Sequence, residues 1–150
     1  MNRSLLALPL ALLLAAPAQA GNVTQQQTCQ LMARHVVGIL ESRDWRDEAA
    51  GDIGVLKLYA VAQGEIIAEE TAASAEQLSM PLEEVKAMVD AQGETLKATM
   101  EKRYGTEALY RDYAVSLFNC AKMSPERLGS PPEKFAATLE RIGKWAQEER

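Results

Sequence analysis

The chain has 150 residues, 47% of them hydrophobic, with a formal net charge of −5, two cysteines and one histidine. Because an acidic surface repels phosphate groups, we expect neither nucleic acid nor an anionic membrane as a partner. With a single histidine the chain lacks the His-Glu-x-x-His motif of zinc sites and the Glu-x-x-His pairs of di-iron bundles. We therefore expect no metal site and no cofactor.

The segment Met1–Ala20 is typical of a secretory signal peptide. Arg3 precedes an apolar run over residues 5–16, and Ala18-Gln19-Ala20 forms a small-x-small cleavage site. The run is shorter than the roughly 20 residues of a membrane span, so we expect no stable membrane insertion after cleavage. We predict a signal peptide over 1–20, a single helical domain over 21–150, and a periplasmic or secreted location in a bacterium. Since Arg3 is the only charged residue removed, cleavage changes the net charge from −5 to −6.

Apolar residues recur at helical spacing after the signal segment, and nowhere do they alternate long enough to predict a strand. Residues 21–26 are polar, and we expect them to be frayed. A first helix is predicted over 26–42 and a second over 48–74. Gly51 and Gly54 lower helix propensity, so any break in the second helix should lie there.

Ser79 is predicted to cap a third helix, which starts with Pro81 in its first turn and stops at Gly105. Thr106 is predicted to cap a fourth helix over 107–123.

A fifth helix is predicted to run to about residue 147. Ser130 serves as its N-cap and Glu133 completes a capping box. Together these segments predict an all-α fold, a roughly antiparallel bundle of four to five helices.

Cys29 and Cys120 are the only cysteines of the chain. In an oxidising compartment an even pair most simply forms one disulfide. Two free redox-active thiols are the alternative, but the chain has no Cys-x-x-Cys motif. A disulfide between the first and fourth helices requires them to be neighbours, and it favours an antiparallel arrangement.

Aromatic residues are 5% of the chain, yet four of them fall between Tyr104 and Phe118. Tyr110 and Tyr113 follow the inner face of the fourth helix and are predicted to be core. Tyr104 and Phe118 fall partly outside that face. They either complete the core or line a groove that binds a partner.

His35 is the only histidine, and no Gly-x-Ser-x-Gly nucleophile motif accompanies it. We therefore predict that the protein is not an enzyme. Some exported helical bundles hold haem through one histidine and one methionine, but the methionines here follow apolar stripes and are more simply core. The methionines that could serve as such a haem ligand are Met32, Met88, Met100 and Met123.

Export, small size, acidity and missing catalytic motifs together predict a non-catalytic protein-binding factor. Such a protein would be an inhibitor, an immunity protein or an envelope accessory protein. Its partner would be another envelope protein, and the acidic charge favours a basic one. The alternative is a periplasmic stress chaperone or a small-ligand carrier. A pocket lined by methionine and tyrosine and without polar groups would favour the carrier.

Overall fold

The structure is a computed structural model that describes residues 17–150, with side chains from residue 23 onward. The prediction of a cleaved signal peptide falls largely on residues outside this range. Within the range the chain forms five α-helices and no strand, so the predicted all-α class is confirmed. The helices are α1 (Pro17–Ser42), α2 (Ala50–Leu78), α3 (Leu82–Tyr104), α4 (Tyr113–Met123) and α5 (Pro132–Gln147).

Helix α1 begins earlier than its sequence pattern indicates, and residues 21–26 are helical rather than frayed. Val23, Gln26 and Gln27 are buried. The side-chain amide of Gln27 donates to the carbonyl of Val89 in α3, at 2.7 Å. Contacts with other helices thus stabilise a polar segment that has no amphipathic face of its own.

Helix α2 is continuous, and the expected break at Gly51 and Gly54 is absent. Because the helix begins at Ala50, both glycines lie in its first turns. Gly64, farther along, accommodates a contact with α1: a Cβ there would lie 2.9 Å from the amide nitrogen of Gln30. That nitrogen donates to the carbonyl of Ala60 at 2.9 Å.

The predicted serine caps are wrong at both α3 and α5. Ser79 ends α2 instead, with φ of 52° and its N–H donating to Ala75 and Glu76. Pro81 and Pro131 occupy the N-cap positions with φ of −57° and −56°, and their carbonyls accept the first helical bonds. Neither helix has a side-chain cap hydrogen bond, so the predicted capping box is not formed. In both helices a proline, which has no side-chain oxygen, occupies the N-cap position that was predicted for the serine.

Helix α4 is shorter than predicted and begins at Tyr113 instead of residue 107. Thr106 therefore caps no helix. Residues 105–112 form a connection in which Leu109 is buried. This buried side chain anchors the connection to the core without helical structure.

Neighbouring helices run antiparallel along most of the bundle. The pair Cys29–Cys120 and the pair His35–Tyr113, whose rings are 5.4 Å apart, show that α4 runs opposite to α1. α5 runs opposite to α2, since Asp52 meets residues 138 and 141 while Tyr59 packs on Phe135. α3 lies beside α1 and runs in the same direction.

The core lies between α1, α2, α4 and α5. Helix α3 contributes only Val85 and Met100 as buried side chains. The largest fully buried apolar side chains come from the other four helices: Tyr59, Tyr113, Phe135, Ile39, Leu40, Leu56, Leu117 and Ile142. Helix α3 is therefore held by fewer apolar contacts than its length would allow.

One polar cluster lies inside this core, at the contact of α2 and α5. The carboxylate of Asp52, which is only 4% exposed, accepts a hydrogen bond from Thr138 at 2.7 Å. It also accepts bonds from Nε and Nη2 of Arg141, the shortest at 2.6 Å. The hydrogen bond to Asp52 raises the pKa of Arg141. Nothing in the local sequence pattern indicates this cluster.

Cys29 and Cys120 form the predicted disulfide, with their Cα atoms 5.8 Å apart. Since α1 begins at Pro17, Cys29 lies near its middle and not near its start. The disulfide indicates folding in an oxidising compartment. Among residues 17–150, no helix is both long enough and apolar enough to cross a membrane.

Candidate functional site

Phe118 lies on the outer face of α4 and is 50% exposed. Val115, one turn earlier on the same helix, is 59% exposed. The ammonium of Lys122 lies 4.5 Å from the centroid of the Phe118 ring. Together with α5, these side chains form a shallow groove of about 410 Å³, here called the Phe118 groove, lined by Ala114, Val115, Phe118, Ala136, Leu139 and Glu140.

The helical period explains why this face of α4 stays open. Tyr113 and Leu117 point inward and are fully buried. Val115 and Phe118 therefore fall on the other side of the helix. Leu139 of α5 is buried and provides an apolar base for the groove.

Tyr104 lies in a different environment from Phe118. It is partly buried against the core, with its ring centroid 4.1 Å from that of Tyr110 and 5.9 Å from that of Tyr113. The guanidinium of Arg103 lies 5.0 Å from the Tyr104 ring. Tyr104 does not line the Phe118 groove, so the two predicted partner-binding residues do not form one surface.

His35 packs against Tyr113, with their ring centroids 5.4 Å apart. Its Nε2 is buried and has no hydrogen-bond partner. Burial lowers the pKa of His35, and the charge of Glu101 raises it in part. Burial also raises the pKa of Tyr113 to about 12, so that phenol stays protonated. Neither group is paired with a nucleophile in the described part of the chain.

A cleft between α1 and α3 has a volume of about 800 Å³. We call it the α1–α3 cleft. His35 and Met100 both line it, whereas Met88 and Met123 are exposed elsewhere. Its lining has no tyrosine and includes the charged side chains of Arg34, Asp90 and Lys97, unlike the methionine- and tyrosine-lined pocket that would favour a carrier of apolar ligands.

No group of three or more His, Cys, Asp or Glu residues is close enough to hold a metal ion in the part of the chain that the structure covers. Comparison with known proteins found no match among family models, curated proteins or solved structures.

The sequence pattern missed several residues that shape these sites. Val115 shares the outer face with Phe118, and the three-residue spacing between them was a usable signal. The position of Leu139 beside Phe118 depends on the packing of α5 against α4. Nothing in the sequence pattern predicts the burial of Gln27, because neighbouring helices decide whether a polar side chain is buried.

Proposed function

We propose that the protein is a non-catalytic protein-binding factor of the bacterial envelope, which contacts its partner through the Phe118 groove. The observation that carries this proposal is the exposure of Phe118 and Val115 side by side above an apolar base. Large apolar side chains of this kind anchor protein interfaces when a partner buries them.

The helix that presents Phe118 is held firmly in place. Tyr113 is fully buried near the start of α4, and the disulfide of Cys120 joins its last turns to α1. A surface that keeps its shape before binding loses less conformational entropy on association. This rigidity supports a role in recognition.

The charge of the protein supports a basic partner. Without residues 1–20 the chain carries a net charge of −6, because Arg3 is the only charged residue among them and the whole chain has −5. Complementary charge accelerates encounter and disfavours wrong partners. The apolar groove then provides the short-range contacts.

Export to the envelope is part of the same proposal. It is supported by the signal-like composition of Met1–Ala20 and by the disulfide. Intact mass measurement of protein recovered from the periplasm of its bacterial host should give a chain that begins at Gly21. Recovery of chains that retain Met1 only in the cytoplasm would contradict export.

The binding surface is tested by a pull-down from periplasmic extract, followed by titration of the captured protein. Phe118→Ala should weaken binding by about fivefold or more, which is about 1 kcal/mol and more than most interface residues contribute. Met88→Ala is the matched control, because Met88 is 60% exposed on α3, away from the groove. Equal affinity of Phe118→Ala and the wild type for the captured protein would refute the proposal.

A further inference from the structure

Helix α3 is embedded only shallowly in the bundle. Of its 23 residues Val85 and Met100 alone are buried, whereas α5 buries six of 16. These two side chains are separated by about 22 Å along the helix axis. In the stretch that joins them, only Val89, Gly93 and Leu96 are partly buried. The helix therefore contacts the bundle along a single narrow row of side chains.

Few polar contacts strengthen this row. Among residues 23–150 no ion pair joins α3 to another helix. The hydrogen bonds to α1 include the one from Gln27 to the carbonyl of Val89, at 2.7 Å, and one from Gln92 to Oγ1 of Thr24, at 2.6 Å. The bond of Gln92 is exposed, so water competes for both of its partners.

The sequence of α3 also gives the helix little stability of its own. Gly93 lies near its middle, and glycine is a weak helix former. Thr95 and Thr99 are exposed β-branched residues, and their hydroxyls donate to carbonyls one turn earlier at 3.1 and 2.9 Å. Because most helical stability in proteins comes from a packed apolar face, a helix with so narrow a contact is weakly held.

The rest of the bundle is closed without α3. The disulfide joins α1 to α4, and the ion pair of Asp52 and Arg141 joins α2 to α5. At the end of α3 the ring centroid of Tyr104 lies 4.1 Å from that of Tyr110, so this end is anchored outside the narrow row. Loss of the helix before Tyr104 therefore leaves the main core in place.

We propose that α3 is a displaceable cover, which unfolds as one unit up to Tyr104 while α1, α2, α4 and α5 stay folded. Segments with few buried apolar contacts open at free energies below that of global unfolding. Opening uncovers an aliphatic strip in the α1–α3 cleft, formed by Leu31, Ile39 and Ile67. The protein then exposes a second apolar surface while it keeps its core. This strip is separate from the Phe118 groove, so the two proposals can fail independently.

Native-state hydrogen exchange of the purified protein, followed by NMR at pH 7, tests whether α3 opens alone. After correction for intrinsic rates, the amides of α3 should exchange about tenfold faster or more than the slowest amides of α1, α2 and α5. Equal rates in all of these helices would overturn the proposal, because α3 would then open only with the whole protein.

Two variants separate local opening from global unfolding. Ile142 is fully buried in α5, and Ile142→Val should speed the slowest amides about two- to tenfold while the amides of α3 keep their rates. Met100→Ala removes a buried contact of α3 itself, so it should speed the amides of α3 about tenfold or more. Equal acceleration of α3 and of the slowest amides by Ile142→Val would refute independent opening.

Thiol labelling tests whether opening uncovers the strip. Ile39 lines the α1–α3 cleft, whereas its neighbour Leu40 is fully buried and does not. The thiol introduced by Ile39→Cys should react with iodoacetamide about tenfold faster or more than the thiol introduced by Leu40→Cys. Equal labelling rates at the two positions would show that the strip stays covered until the whole protein unfolds.

Discussion

Replacing Arg141 by alanine should destabilise the protein more than replacing Asp52 by asparagine, although both changes remove the same ion pair. Asp52 is buried, whereas the side chain of Arg141 is half exposed. The cost of breaking an ion pair depends on the charge that is left behind, because a buried charge cannot be hydrated.

The magnitudes follow from what each variant leaves unpaired. Arg141→Ala leaves a buried carboxylate with one remaining donor, Thr138, at 2.7 Å. Removing one partner of a fully buried pair costs about 3–5 kcal/mol, and partial solvent screening of Arg141 lowers this to about 2–4 kcal/mol. Asp52→Asn keeps an acceptor for Thr138 and leaves a guanidinium that water can reach, so we expect about 1–2 kcal/mol.

Urea unfolding of both variants, followed by circular dichroism at pH 7, measures the difference. Arg127→Ala is the control, because Arg127 pairs with the exposed Glu69 at 2.6 Å and its loss should change stability little. The reasoning is refuted if Arg141→Ala is no more destabilising than Asp52→Asn, or if it matches the control. Equal slopes of the free energy against urea are needed for the comparison to hold.

Three further changes test other parts of the fold. Replacing Cys29 and Cys120 by serine should lower the free energy of unfolding by about 2–5 kcal/mol, because a crosslink between residues 91 apart is lost; an unchanged urea midpoint would contradict this. Gly129→Ala should cost about 2 kcal/mol or more, because Gly129 has φ of 73° and a Cβ would lie 2.5 Å from the carbonyl oxygen of Leu58. A thermal midpoint equal to that of the wild type would show that this contact relaxes freely. Burial lowers the pKa of His35, so the unfolded chain binds its proton more readily and stability should fall as the pH drops below about 6.5. His35→Gln should remove that part of the pH dependence, and an identical pH profile for the variant would disprove the assignment.

The sequence alone was sufficient for the features that depend on local pattern. The helical period identified Tyr113 as core, and Tyr113 is fully buried. The even cysteine count and the signal-like N-terminal segment predicted the bond between Cys29 and Cys120, which is present. These properties are encoded in short spacings and composition, so they are readable without knowledge of the packing.

The candidate site was predictable only in part. The excess of aromatic residues indicated Tyr104 and Phe118 as candidates for partner binding, but the sequence did not show which of the two is exposed. In the structure Tyr104 packs on Tyr110, whereas Phe118 remains half exposed. The difference arises because Tyr110 of the connection and Tyr113 of α4 pack against Tyr104, whereas Phe118 lies on the outer face of α4.

Only the tertiary structure decided the burial of polar groups. Asp52 accepts a hydrogen bond from Arg141, which lies 89 residues away in the sequence. Gln27 donates one to Val89, which lies 62 residues away. The bond of Gln27 joins the polar first half of α1 to α3, a contact that no local pattern of the sequence indicates. A buried polar group is stable only beside its partner, and packing, not local spacing, brings such distant partners together.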